Sequence, residues 1–322
     1  MQADLVITNG KVITVDKDFS IKQAAAVMDG KILAVGANDE VKPFIASGTR
    51  LLDLKGKTIL PGINDSHCHP GSFGAYRPPM ALDVGQSEAG SIQEIAALIA
   101  HRAETLPPGT WIVGRGWDLG NLADNRADPD RWPTRDDLDP VSPHHPVALV
   151  DFSGHNLWAN SLALAKACIT DRGPEVEGGE IKRHPQTGRP TGMLVEWGAR
   201  GLVDKVIPLF SRAEKKQAFQ AAIAEFNSQG VTSLTDAALG PAGETIARGM
   251  WSSECLNIYD EMSRAEELNI RVTILLLLGQ NGCVRLQDMI DGLAAWQPPQ
   301  GMDPDWVRLC GVKVFADGLP IT

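Results

Sequence analysis

From residue 211 to residue 316 the chain alternates helical patterns with short continuous apolar runs, and no other feature restricts its fold as strongly. Ser211-Arg212-Ala213-Glu214 has the form of a capping box, in which Ser211 caps a helix and Glu214 reaches back to it. Behind it Phe219, Ala222, Ile223 and Phe226 share one helical face, and Gly230 stands where a C-terminal cap belongs. Val231 to Asp236 then reads as a strand. Helical patterns from Ile258 to Leu268 and from Leu286 to Trp296 are followed by the apolar runs Val272 to Leu278 and Val307 to Ala316. Runs of this kind, unlike an alternating pattern, imply strands covered on both faces. The expectation is a parallel sheet with helices packed outside it.

The first 60 residues carry a different signal. Short β patterns flank Asn9-Gly10, Asp29-Gly30 and Lys55-Gly56, which predicts three hairpins in a small all-β module. Residues 74–210 are loop-rich and dense in Trp, Asp, Arg and Pro, with one helical pattern from Ile92 to Leu106 and short strands at Trp111-Ile112-Val113-Gly114 and Val147-Ala148-Leu149-Val150. Loops of that length within a compact protein mark an inserted subdomain.

Composition narrows the class. At 322 residues, 43% hydrophobic and 22% charged, the chain can bury a sizeable core. A net charge of −10 without a basic cluster argues against nucleic-acid and anionic-membrane partners. No apolar run approaches a membrane span, and Met1-Gln2-Ala3-Asp4-Leu5 lacks the basic start of a secretory leader. Five scattered cysteines without a Cys-x-x-Cys fit reduced thiols, so a cytoplasmic protein is expected.

Between the β module and the insertion lies Pro61-Gly62-Ile63-Asn64-Asp65-Ser66-His67-Cys68-His69-Pro70. On a strand His67 and His69 face one side and Cys68 the other, so two imidazoles at a strand end can supply half of a metal site. Taking Ile59 to His67 as strand one, the runs at Val231, Val272 and Val307 are strands two, three and four. A (β/α)₈ barrel needs eight such units. The chain therefore reads as α/β: the first half of a TIM-like barrel (61–73 and 211–322), part of a small β-sandwich (1–60), and a large insertion after strand one (74–210). Because the chain stops at Thr322, directly after strand four, a fragment of a longer protein is expected.

Together with this strand, the segments Gly116-Trp117-Asp118, Pro133-Thr134-Arg135-Asp136-Asp137-Leu138-Asp139, Gly154-His155-Asn156-Leu157-Trp158-Ala159-Asn160, Gly188-Arg189-Pro190-Thr191-Gly192, Gly230-Val231-Thr232-Ser233 and Gly311-Val312-Lys313-Val314-Phe315-Ala316-Asp317-Gly318 resemble the amidohydrolase superfamily, in its YtcJ-like branch, amidohydrolase family 3. The resemblance implies a metal-dependent hydrolase barrel beside a sandwich built from both chain ends. It further implies one or two divalent ions (Zn first; Mn, Fe or Ni as alternatives) held by His67, His69 and a carboxylated, bridging Lys313 on strand four. A metal-bound water of pKa about 7 would attack a C–N bond of an amide, formamide or cyclic amide. The family's later histidines and the aspartate that serves as general base are not in this sequence, so an incomplete site with little activity is expected.

His155, Trp117, Asp118 and Asp317 are the candidate substrate-binding residues, with core packing weighed against pocket lining for the tryptophans Trp117 and Trp158, as for Asn160. Asp236 ends strand two, either facing the site or capping a helix. His144-His145, between two prolines, reads as a solvated turn. The expected partner is a small-molecule substrate; a homo-oligomer is compatible with the sequence. An esterase or lactonase on the same site, and a non-catalytic binding or assembly protein, are the alternatives.

Overall fold

The computed structural model describes residues 1–240, 246–278, 286–297 and 299–314; Phe315, Ala316 and the candidate Asp317 lie outside them. The chain divides into two units, Met1–Asn64 and Asp65–Thr322.

In the first unit, strands β1 (Leu5–Thr8), β2 (Lys11–Ile13), β3 (Ile21–Lys22), β4 (Ala24–Met28), β5 (Lys31–Gly36), β6 (Arg50–Asp53) and β7 (Thr58–Ile59) form two sheets, ordered β5-β4-β1-β6 and β3-β2-β7. Only the middle expected hairpin exists: β4 and β5 pair antiparallel about Asp29 and Gly30, whose φ values of 50° and 70° suit a type I′ turn. At Asn9-Gly10 the chain instead leaves one sheet for the other, and β6 to β7 does the same beside it. Accordingly β1 runs parallel to β6 and β2 parallel to β7. Bonds from Leu54 N to Thr8 O (2.9 Å) and from Gly56 N to Asn9 O (2.7 Å) join the two crossings. Gly10 is needed there for close approach, since a Cβ would lie 2.2 Å from Leu54 Cδ1. Val6, Ala24, Ala26 and, from α1 (Asn38–Val41), Val41 fill the small core.

The second unit begins with β8 (Ile63–Cys68) and α2 (Pro70–Ala75). The single strand expected from Ile59 to His67 is interrupted at Leu60-Pro61-Gly62, where Pro61 has no N–H to give a ladder. Residues 82–195 supply a mixed six-stranded sheet of β9 (Leu82–Asp83), β10 (Ile112–Trp117), β11 (Val147–Asp151), β12 (Asn156–Ala159), β13 (Glu180–Arg183) and β14 (Pro190–Val195), ordered β13-β14-β12-β11-β10-β9. Helix α3 (Ile92–Glu104) packs Ile92, Ile95 and Ile99 into the same core as Ile112 and Leu149 of this sheet. The shorter α4 (Ala123–Ala127), α5 (Arg135–Leu138), α6 (Ser161–Lys166) and α7 (Glu196–Asp204) complete the region.

Helix α8 (Arg212–Ser228) starts on the expected capping box, with Ser211 N donating to Glu214 Oε2 at 2.8 Å, and Gly230 follows it at φ 83°. Then come β15 (Val231–Leu239), α9 (Ser253–Arg264), β16 (Arg271–Leu277), α10 (Leu286–Ala295) and β17 (Val307–Lys313). Helix α9 starts and ends earlier than the Ile258 to Leu268 pattern. Glu266 at φ 56° turns the chain out of the helix, and Leu268 packs into the core from the connecting segment. A four-stranded sheet runs β17-β16-β15-β8, with β15, β16 and β17 mutually parallel. Chain order and spatial order coincide, as expected for successive β/α steps; among the described residues the sheet stays open.

The strands were expected to be buried on both faces, and here the structure differs. Along β16, Val272, Ile274 and Leu276 are buried while Thr273 and Leu275 are half-buried. One face joins a core shared with residues of α8 and α9; the other is only partly covered.

Candidate active site

The C-terminal ends of these strands carry the polar groups. His67 lies near the end of β8 and His69 just beyond it, their ring centroids 5.4 Å apart and the rings nearly perpendicular. Lys313 ends β17 and pairs in register with Leu277. Although separated by most of the sequence, His67, His69 and Lys313 line one cleft of about 690 Å³. Burial, with the Lys313 ammonium next in effect, holds the His67 pKa below the ordinary imidazole value. A neutral imidazole is the form that ligates a metal.

Local structure fixes His69. It caps α2, its ring stacks on Trp251 at 5.2 Å, and Trp251 Nε1 donates to Ser72 Oγ of α2 at 2.7 Å. Helix α2 lies tightly against α8, and a Cβ on Gly74 would sit 2.0 Å from the Ala218 carbonyl oxygen. Asp236, buried within β15, accepts from the Tyr259 hydroxyl at 3.1 Å through Oδ2. Its Oδ1 lies 3.8 Å from His69 Nδ1, and both atoms are buried without a hydrogen-bond partner among the described residues. Buried polar atoms are almost always paired. An unsatisfied imidazole–carboxylate couple behind a His-x-His pair is what an outer-shell arrangement around a metal would use. Among the described residues no group of three or more His, Cys, Asp or Glu forms a cage by itself. The donors that fit a divalent ion here are thus His67 and His69, with Lys313 on the same wall.

The opposite contribution comes from the insertion. His155 lines the cleft from the loop between β11 and β12. Asp151 organises that loop from inside: Oδ1 accepts from the backbone N–H groups of Gly154 (2.8 Å), His155 (3.1 Å) and Asn156 (3.2 Å), and Oδ2 from Ser153 Oγ and Asn156 Nδ2, both at 2.7 Å. Arg115 donates to the Phe152 carbonyl at 3.3 Å, and buried Arg200 donates to that of Gly154. His155 Nδ1 meets Glu196 Oε2 at 2.7 Å; Glu196 opens α7 at φ 62°, a left-handed conformation costly for a side chain with a Cβ. Trp197 sits 6.1 Å from both His155 and Trp251, joining the two halves of the cleft.

Other sequence candidates lie elsewhere. Trp117 is in the core against Trp158 at 6.4 Å, its Nε1 donating to Leu149 O, and it does not line the cleft. Asp118 caps the following turn, accepting from Gly120 N (3.1 Å) and Asn121 Nδ2 (2.6 Å). Asn160 is buried and holds the 142–147 segment together by accepting from Val147 N and donating to His145 O. That makes His145 buried, with Nδ1 on Thr110 O at 3.0 Å, while His144 is exposed; the solvated-turn reading holds for His144 alone. Cys68 lines the cleft edge and points its thiol at Thr235 O, 3.5 Å away; burial raises its pKa and keeps it protonated. The residues that sequence reasoning missed are Trp251, Trp197, Arg115 and Glu196. None of the four stands in a motif whose spacing points to the cleft.

A model of the Amidohydro_3 amidohydrolase family matches residues 50–321. Protein LONG AFTER FAR-RED 3 of Arabidopsis thaliana is 30% identical over 320 residues, 98% of this chain and 50% of that protein. N-substituted formamide deformylase of Arthrobacter pascens is 37% identical over 196 residues, 61% of this chain and 35% of that enzyme. The chain spans about half the length, or less, of these curated relatives. In fold it is similar to a crystal structure described as an uncharacterized metal-dependent hydrolase from Pyrococcus horikoshii OT3, with a TM-score of 0.65, 21% identity, and 98% of this chain and 55% of that one covered. The chain belongs to the amidohydrolase family, in its family 3 branch.

Proposed function

We propose that this chain supplies metal-binding residues to a metal-dependent hydrolase that cleaves a C–N bond of a small amide, with a formamide the first class to try. The observation that carries the reading is the convergence of His67, His69 and Lys313, from two strand ends far apart in sequence, on one cleft. Similarity to an N-substituted formamide deformylase supports the choice of bond. A divalent ion bound here would supply an ionised water at neutral pH and polarise the scissile carbonyl.

The chain's own residues set the geometry. His67 and His69 offer neutral nitrogens on one side of β8. Asp236 orients His69 through Nδ1, leaving Nε2 for the ion. Lys313 as an ammonium would repel a divalent cation, whereas its N-carboxylated form would offer two anionic oxygens. Trp251 and Trp197 exclude water from the wall between the histidines and His155, and His155, fixed by Glu196, contacts the bound amide. The test is hydrolysis of a panel of N-substituted formamides by the whole protein before and after chelation. Activity lost with the metal and restored by Zn or Mn supports the reading; activity indifferent to chelation contradicts it. A carbamate carbon signal after labelling with ¹³C-bicarbonate, absent in Lys313→Arg, would establish the role of Lys313.

A further inference from the structure

Three arginines, Arg77, Arg115 and Arg200, line the cleft of a protein whose net charge is −10. Arg200 has its counter-charge: Nε donates to buried Asp204 at 2.8 Å. Arg77 and Arg115 do not. Among the described residues the Arg115 guanidinium makes one hydrogen bond, at 3.3 Å, to the Phe152 carbonyl, and it lies 5.7 Å from the Tyr76 ring centre. The Arg77 guanidinium lies 3.9 Å above the Phe73 ring. No carboxylate among the described residues comes within 4.0 Å of either. Nearby acids are already engaged. Asp151 holds its own loop, Glu196 holds His155, and Asp83, the register partner of Arg115, accepts from Gly85 N at 2.9 Å. Burial, then the neighbouring Arg200 and Arg77, disfavour the charge on Arg115, opposed in part by Tyr76 and Asp151. A partly desolvated guanidinium without a counter-ion is costly, and its planar fork matches a carboxylate.

Helix α2 sets the distance. His69 caps its start and Tyr76 its end, and Arg77 follows directly. At the rise of an α-helix these two ends are about 10 Å apart. Between them the cleft wall is Phe73, Phe226 and Trp251, an apolar span.

We propose that Arg77 and Arg115 form a carboxylate subsite at the end of the cleft away from His67 and His69. The substrate is then an anionic amide: scissile C–N bond at the histidines, an aryl or alkyl spacer along Phe226 and Trp251, and a carboxylate on the two arginines, Arg77 being held over the Phe73 ring. This rests on the hydrolytic reading for the near end only.

Product amines test it without turnover. Binding of 4-(aminomethyl)benzoate and of 4-(aminomethyl)benzamide to the whole protein is measured by titration calorimetry. The carboxylate should bind about tenfold more tightly than the carboxamide, as charge-assisted pairing requires. Exposed Arg77→Gln should reduce that preference while keeping the carboxamide's affinity, the thermal melt and the metal content; the double variant Arg77→Gln/Arg115→Gln should abolish the preference, and Arg115→Lys should retain part of it. If the double variant does not fold, Arg77→Gln alone carries the test. Equal binding of the two probes, no binding of either, or a preference that survives the double substitution overturns the subsite. Metal binding without the preference leaves the hydrolytic reading standing, and the preference without metal binding leaves the subsite standing.

Discussion

Two histidine–carboxylate couples face each other across this molecule's cleft chemistry, and they are built in opposite ways. His155 and Glu196 meet at 2.7 Å, on a loop whose N–H groups are taken by Asp151 and whose carbonyls are taken by two arginines. His69 and Asp236 stand 3.8 Å apart, each with a buried atom that has no partner. The first is finished by the protein alone. The second is held in place by Trp251 and Tyr259, and its own hydrogen bond is left unmade. One wall of the cleft, that of His155, therefore carries a closed couple, and the other, that of His67 and His69, an open one.

The contrast can be broken in graded steps. Asp151→Ala strips the five-donor loop of its acceptor and should cost about 4 kcal/mol of stability by urea denaturation; a loss under about 1 kcal/mol would mean that the loop does not depend on Asp151. Asp236→Ala orphans the buried Tyr259 hydroxyl, which should cost about 1–3 kcal/mol of stability, and should weaken metal affinity about 10–100-fold, measured by competition with a chelator; unchanged affinity would remove Asp236 from the metal's surroundings. Tyr259→Phe takes one hydrogen bond from Asp236 and should cost about 1 kcal/mol in the same denaturation assay. The smallest effect is chemical. In a Cys283→Ser background at pH 8, exposed Cys168 and Cys310 should react with a thiol reagent first. Cys68 and Cys255 should lag because burial raises both pKa values, that of Cys255 to about 12, and a raised thiol pKa means less thiolate at any given pH. Cys68 reacting as fast as Cys168 would show an open wall at His67 and His69.

The two walls also differ in how far the sequence disclosed them. The placement of His67, His69 and Lys313 was legible because these residues sit on regular elements: a His-x-His pair on a strand, a capping box before α8, and apolar runs whose order places Lys313 on the fourth strand. The His155 wall was not. Its geometry depends on side chains that meet only through tertiary packing, such as Arg115 of β10 against the 152–154 loop and Trp197 against His155. Trp117 and Asp118 show the converse error. An aromatic–acid pair at a strand end resembles a pocket, but here the ring fills the core and the carboxylate caps a turn. The Asn-Gly turn in the first unit misled for a related reason: β1 finds partners in β4 and β6, so the chain passes on to the second sheet where a hairpin was expected to fold back.

The central claim is that His67 and His69 are metal ligands. Elemental analysis of the purified whole protein, wild type beside His67→Ala/His69→Ala, tests it most directly. One or two equivalents of divalent metal in the wild type, absent from a double variant with an unchanged melting profile, is the predicted result. The same metal content in both proteins would contradict the account.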